Sequence, residues 1–255
     1  MFGQLVFDIT PQLELAGGAR YTRQTNELNS FTTYLNAAVT TISPPGRKIT
    51  GSKTQDNVSP EATLTWRPTP ELTIYGAYKT GFLAGGYSNP GILSSISTID
   101  TLSFEEETVT GAEFGIKTSL GRFNASLTGY RYVYEGLPLT SLVAINATTI
   151  TYVTQNAANT EVKGIEFEGS YRGPGGPTLR ATAAYNDARF ESFDRAQCWT
   201  GQTLAQGCLV DPVTNGTYQN LTGRQVYRAP KWIGTAGAIK TFDLGNAYEA
   251  TFNAD

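Results

Sequence analysis

Histidine is absent from this sequence, methionine occurs once and cysteine twice, and only 16% of the residues are charged. Without imidazole there is no histidine base and no histidine metal ligand, which leaves only Ser-Lys, paired-carboxylate or cysteine chemistry to an enzyme. No run of about 18 apolar residues is present, so no helical membrane span is expected. That test does not touch β-barrels, whose strands cross with only about 10 alternating residues. Lys+Arg 19 against Asp+Glu 22 gives a net charge of -3 with no basic arm or stripe, so no nucleic acid partner is expected. The opening Met1-Phe2-Gly3-Gln4 has neither a basic n-region nor an apolar h-region, and an exported protein beginning this way reads as incomplete.

Glycine and aromatic residues are plentiful instead, with 27 Gly, 14 Tyr and 12 Phe. That mixture suits pleated strands and tight turns. Alternation of apolar and polar residues recurs about ten times and predicts strands over 2–9, 13–25, 54–66, 72–80, 107–119, 122–135, 150–172, 178–190, 225–241 and 247–254. Short turns are predicted at Thr10-Pro11-Gln12, from Arg67 to Glu71, at Leu120-Gly121, from Gly173 to Pro177 and at Asp243-Leu244-Gly245-Asn246. Longer connections rich in Ser, Thr, Asn and Gly are predicted over 26–53, 81–106, 136–149 and 191–224. Short and long connections in strict alternation are the pattern of an up-and-down antiparallel barrel in an outer membrane, whereas a Greek-key sandwich would mix them. No linker, charge block or low-complexity tract divides the chain, so 1–255 reads as one domain.

Alternate residues separate into two chemical faces. One holds Leu15, Gly17, Ala19 and Tyr21; Ala62, Leu64 and Trp66; Ile74, Gly76 and Tyr78; Phe114 and Ile116; Ala125, Leu127 and Gly129; Ile165, Phe167 and Tyr171; and Leu179, Ala181, Ala183 and Tyr185, with no charge among them. The other includes Glu14, Arg20, Glu61, Lys79, Glu113, Lys117, Glu166, Glu168 and Arg180 among Thr, Ser, Asn and Gly. A lipid-facing Arg or Lys at the bilayer midplane costs roughly 2–4 kcal/mol, so a membrane would enforce such a separation. A soluble β-sandwich also alternates, but here the uncharged face ends in aromatics, as interfacial girdles require. Arg131 is the exception: its register points it to the uncharged side, either beyond the hydrocarbon toward head-group phosphates or displaced by a bulge.

Cys198 and Cys208 enclose a short polar stretch within one connection, the arrangement of a local disulfide in an oxidising compartment; two unpaired neighbouring thiols are the plain alternative.

Several segments together resemble the barrel of TonB-dependent receptors, in particular its siderophore-receptor-like members. They are Leu15 to Thr22, Leu72 to Tyr87, Phe104 to Lys117, Asn156 to Glu168 and Ala229-Pro230-Lys231-Trp232, in order and at hairpin spacing over nearly the whole chain. The resemblance implies an internal segment of about ten strands from a barrel of about 22, with the plug domain missing. It also implies TonB-coupled uptake of a scarce bulky nutrient such as a ferric siderophore across the bacterial outer membrane. The expected partners are that nutrient, outer-membrane lipid and lipopolysaccharide, and TonB only through the missing plug.

Ligand contacts are expected, if anywhere, at Phe82 and Tyr87 near one long connection and at Tyr130, Tyr132 and Tyr134 on the polar face. An ordinary aromatic lining stands beside that reading of the three tyrosines. Glu166 and Glu168 are two apart on one face but have no catalytic companion, so no enzyme, catalytic residue, metal site or cofactor is expected. A general porin-like passive barrel and a soluble carbohydrate-binding β-protein remain the alternatives.

Overall fold

The computed structural model describes residues 1–33, 45–89, 93–94, 97–146, 149–212, 216–245 and 247–255. In chain order the elements are β1 Phe2–Thr10, β2 Leu13–Phe31, β3 Lys48–Thr69, β4 Leu72–Leu83, β5 Gly86–Tyr87, the single-turn helix α1 Ile99–Leu102, β6 Ser103–Phe104, β7 Glu107–Leu120 and β8 Phe123–Asn146. There follow β9 Thr149–Arg172, β10 Thr178–Ser192, β11 Ala196–Gln197, β12 Cys208–Val210, β13 Thr217–Gln219, β14 Trp232–Gly245 and β15 Tyr248–Ala254. Ten of these strands form one sheet in the order β1-β2-β3-β4-β7-β8-β9-β10-β14-β15, and every pairing is antiparallel. The long strands are thus next to each other in space in the order they occur in the chain, which is an up-and-down sector of a barrel.

The short turns fall where Pro and Gly place them. Thr10 Oγ1 accepts from the Leu13 backbone N–H at 3.0 Å, closing the first turn, and Gly121 takes φ 59° in the turn between β7 and β8. The predicted turn residue Asn246 lies outside the described residues.

Three connections differ from expectation. The segment 136–149 is not a long loop: β8 and β9 run on as a paired hairpin to Asn146 and Thr149. A register shift between Tyr134 and Leu137, with Gly136 at φ 71°, interrupts the alternation that marks a strand. In the other direction, the predicted strand 225–241 begins only at Trp232. Arg228 sits at φ 60° and Pro230 lacks an N–H, so residues between Gln225 and Lys231 cannot continue a ladder. The arms of β2 and β3 are also longer than predicted, reaching Phe31 and Lys48.

The uncharged face is bare. Leu5 is 82% exposed, Phe114 58% and Leu179 51%, and among the described residues no second sheet or helix covers them. On β3 the alternation is visible directly: even-numbered Val58, Pro60, Ala62 and Leu64 are exposed while their odd-numbered neighbours are partly buried. Apolar surface of this kind is unfavourable in water by roughly 25 cal/mol per Å², and a bilayer removes that cost.

Buried apolar clusters do occur, both beyond the uncharged band at the long-loop end. One gathers Ile49, Leu93 and Leu102 with Leu28 and Ile99 against them. The other gathers Ala158, Phe190, Phe193 and Ala196 with Leu137, Leu139, Leu221 and Val226 against them. Leu28, Ile49, Ala158 and Phe190 belong by register to the polar side of their strands, so the described parts of the connections after β4 and β10 fold over the inner face.

Candidate functional site

The inner face of the sheet is a polar network braced by tyrosines that lie on glycines. Tyr75 stands opposite Gly115, Tyr132 opposite Gly111 and Tyr130 opposite Gly164. A Cβ added at Gly111 or Gly115 would overlap the Tyr132 or Tyr75 ring, and one at Gly164 would meet Tyr130 and the Tyr185 carbonyl. Each glycine therefore provides a flat seat for the ring across from it.

The hydroxyls are tied down as well. Tyr132 donates to Glu113, whose other oxygen accepts from Lys79 Nζ at 2.8 Å. The Tyr75 hydroxyl lies 3.0 Å from Thr128 Oγ1, and Lys117 Nζ sits 5.3 Å from the centre of the Tyr75 ring. Tyr130 donates to Asn186 Oδ1 at 3.3 Å, and Tyr134 follows on the same side opposite Val109 and Thr160. Tyr130 and Tyr132 are neighbours, with ring centroids 6.3 Å apart. These side chains form part of the wall, and Glu166 and Glu168 lie on the same inner face.

Phe82 and Tyr87 are placed elsewhere, near the described residues 84–89 and 97–106 of the connection after β4. Pairing of β3 with β4 ends at Glu61 and Lys79, while β4 continues along β7 to Leu83. The opening so left holds a cavity of about 550 Å³ lined by Phe82, Phe2, Arg20, Glu61 and Leu83. Beside it, a cavity of about 670 Å³ lies between the end of β2 and the connection, lined by Tyr87, Asn26, Glu27, Asn29 and Phe104. Ala84 lines both cavities, so the two predicted aromatics serve adjoining spaces and Tyr130, Tyr132 and Tyr134 line neither.

Two asparagines and a lysine hold the connection in place. Asn26 Nδ2 donates to the Gly85 carbonyl at 2.6 Å, and Lys53 Nζ is 2.7 Å from Glu105 Oε1. On the far side, Asn156 accepts from the Glu105 N–H at 2.6 Å and donates to the carbonyls of Glu105 at 3.0 Å and Gly136 at 2.6 Å. The connection thus bridges the β2–β3 arm to the β8–β9 arm as a shelf across the inner side. Asn26 and Lys53 carry no local mark, because their partners are distant in the chain, and Asn156 stands out only as the first residue of a segment that resembles the family.

The connection between β10 and β14 is folded too. Cys198 and Cys208 are joined by a disulfide, β13 pairs with both β11 and β12, and Arg195 pairs with Asp211 while its guanidinium lies 4.6 Å from the Tyr218 ring centre. The ion pair keeps the Arg195 guanidinium above its ordinary pKa. Among the described residues no group of three or more Cys, Asp or Glu side chains is placed to hold a metal ion.

The family model described as "TonB dependent receptor-like, beta-barrel" matches residues 1–254. Among solved structures, the chain is similar to the ferric yersiniabactin uptake receptor FyuA from Yersinia pestis, with 13% identity, TM-score 0.67, and coverage of 96% of this chain and 31% of that one. It is also similar to the siderophore receptor PiuA from Acinetobacter baumannii, with 19% identity, TM-score 0.60, and coverage of 94% and 30%. A third is the ferric-catecholate import receptor Fiu from E. coli, with 13% identity, TM-score 0.59, and coverage of 99% and 39%. The chain spans about a third of the length of these structures, and at such identities the likeness is one of fold. With the family model matched over all but the final residue, this chain belongs to the TonB-dependent receptor β-barrels.

Proposed function

We infer that residues 1–255 form a sector of the wall and mouth of an outer-membrane receptor that imports a scarce bulky nutrient such as a ferric siderophore. One observation carries this reading: the sheet has a bare apolar face on one side and a polar inner face on the other, and the long-loop end of that inner face is folded into cavities. The apolar band suits outer-membrane lipid and lipopolysaccharide, and the mouth, with Tyr87, Phe82 and Phe104 among amides and carboxylates, suits a large ligand with both polar and flat apolar parts. Energy coupling through TonB is assigned to a plug domain. The barrel sector contributes ligand contacts and not the gating step.

Uptake of radio-iron-labelled ferric catecholates and ferric hydroxamates, by cells that depend on a receptor carrying this chain, tests the reading. Accumulation that ceases when TonB is removed is expected. Accumulation that persists without TonB would instead identify a passive, porin-like barrel.

A further inference from the structure

The outward face changes character within one row of side chains. Gly129, Ile165, Tyr185 and Trp232 form one row across β8, β9, β10 and β14. In the next row toward the long loops, Arg131 stands opposite Lys163 and Lys163 opposite Asp187. The row after that brings Val133, Glu161 and Arg189 together. The β8–β9 register is unbroken from Phe123 to Tyr134, so Arg131 is not displaced by a bulge and stays on the outward side.

Three cations and two carboxylates meet in these two rows. Glu161 serves both Arg131 and Lys163, the latter at 2.8 Å, and Asp187 serves Arg189 at 2.9 Å. The positive charge exceeds the negative, and the cationic side chains remain 63%, 52% and 46% exposed for Arg131, Lys163 and Arg189. Arg131 commits Nε and Nη2 to Glu161, and a guanidinium has further donors. The carboxylates of Glu135 and Glu191 come later along β8 and β10, farther from the apolar band.

Directly below, on the same face, lies an almost wholly apolar groove of about 470 Å³ lined by Ile165, Phe167, Ala183, Tyr185 and Trp232. A cationic patch above and an apolar groove beneath match one amphiphile in one orientation. We propose that this part of the outer wall holds a phosphorylated lipid of the outer leaflet, with its phosphate on Arg131, Lys163 and Arg189 and an acyl chain in the groove. Charge-assisted hydrogen bonds from Arg and Lys are the ordinary means of holding a phosphate, and the adjoining aromatics Tyr185 and Trp232, with rings 4.9 Å apart, suit the interface. The proposal rests on the membrane reading of the bare face.

The receptor carrying this chain is reconstituted into phosphatidylcholine vesicles containing either diphosphorylated lipid A or its dephosphorylated form, and the lipid kept on extraction is read by native mass spectrometry. The phosphorylated form should be retained about tenfold better. The Arg131→Ala, Lys163→Ala, Arg189→Ala triple variant should lose that preference, and Ala183→Leu, which fills the groove, should weaken retention of both lipids. Excess inorganic phosphate should leave the lipid in place, because the acyl chain is held separately. Equal retention of the two lipids by the unaltered protein, an inserted triple variant that keeps the preference, displacement by inorganic phosphate, or a face covered by a second copy in place of lipid would each overturn the proposal. Failure of the unaltered protein to insert into either vesicle would overturn the membrane reading itself.

Discussion

Arg131 and Lys163 stand directly opposite each other on β8 and β9, two like charges in one cross-strand pair, and both converge on the single carboxylate of Glu161. Like charges in that position repel unless a counter-ion lies between them. Protonation of Glu161 removes that counter-ion, so the stabilisation it supplies is present at neutral pH and is lost as the solution is acidified. Glu161→Gln is therefore expected to unfold at lower urea than the unaltered protein at neutral pH in vesicles. The difference should close as the solution is acidified, and a difference independent of pH would contradict this role.

The tyrosine braces predict opposite outcomes for two glycines. Gly164→Ala places a methyl group against Tyr130 and the Tyr185 carbonyl, so a loss of about 1–3 kcal/mol is expected in urea unfolding from vesicles. Gly17 on the outward face has nothing within 4 Å of an added Cβ. Gly17→Ala should be neutral, or stabilising by up to about 1 kcal/mol through lowered chain entropy. Equal effects at the two positions would remove the cross-strand brace from the account.

The disulfide closes a small loop with a sequence separation of 10. Chain entropy gives such a cross-link a worth of about 2–3 kcal/mol. Cys198→Ser with Cys208→Ser should loosen β11, β12 and β13 without dismantling the ten-stranded sheet. The expected readout is rapid cleavage between 193 and 231 by protease added to intact cells, with the barrel strands still protected. Unchanged protection of that segment would show that the Phe190 cluster alone fixes it.

The outward and inward faces were legible in the sequence because a strand has period two and because each short turn carries its own Pro or Gly. One or two residues that disturb the period hide what lies beyond them: Gly136 masks the continuation of β8 and β9, and Arg228 with Pro230 delays β14. The cavities at the long-loop end were legible only in part. Phe82 and Tyr87 could be chosen for their place beside a long connection, but Asn26, Lys53 and Asn156 act on residues far away in the chain, and no local pattern carries that information. The same holds for Tyr132 on Gly111, which requires the cross-strand register. Arg131 was visible as an exception, and its meaning emerged only when Lys163, Glu161 and Arg189 proved to be its neighbours.

Nitroxide labels placed one at a time from Lys163 to Gly169 on β9, in vesicles, tell lipid from water along the strand through collisions with oxygen, which dissolves in lipid, and with a water-soluble nickel chelate. Ile165, Phe167 and Gly169 are expected to meet oxygen and exclude nickel, Glu166 and Glu168 to show the reverse preference, and Lys163 to admit nickel at the boundary. Nickel reaching Ile165 and Phe167 as freely as Lys163 would contradict a lipid-facing wall.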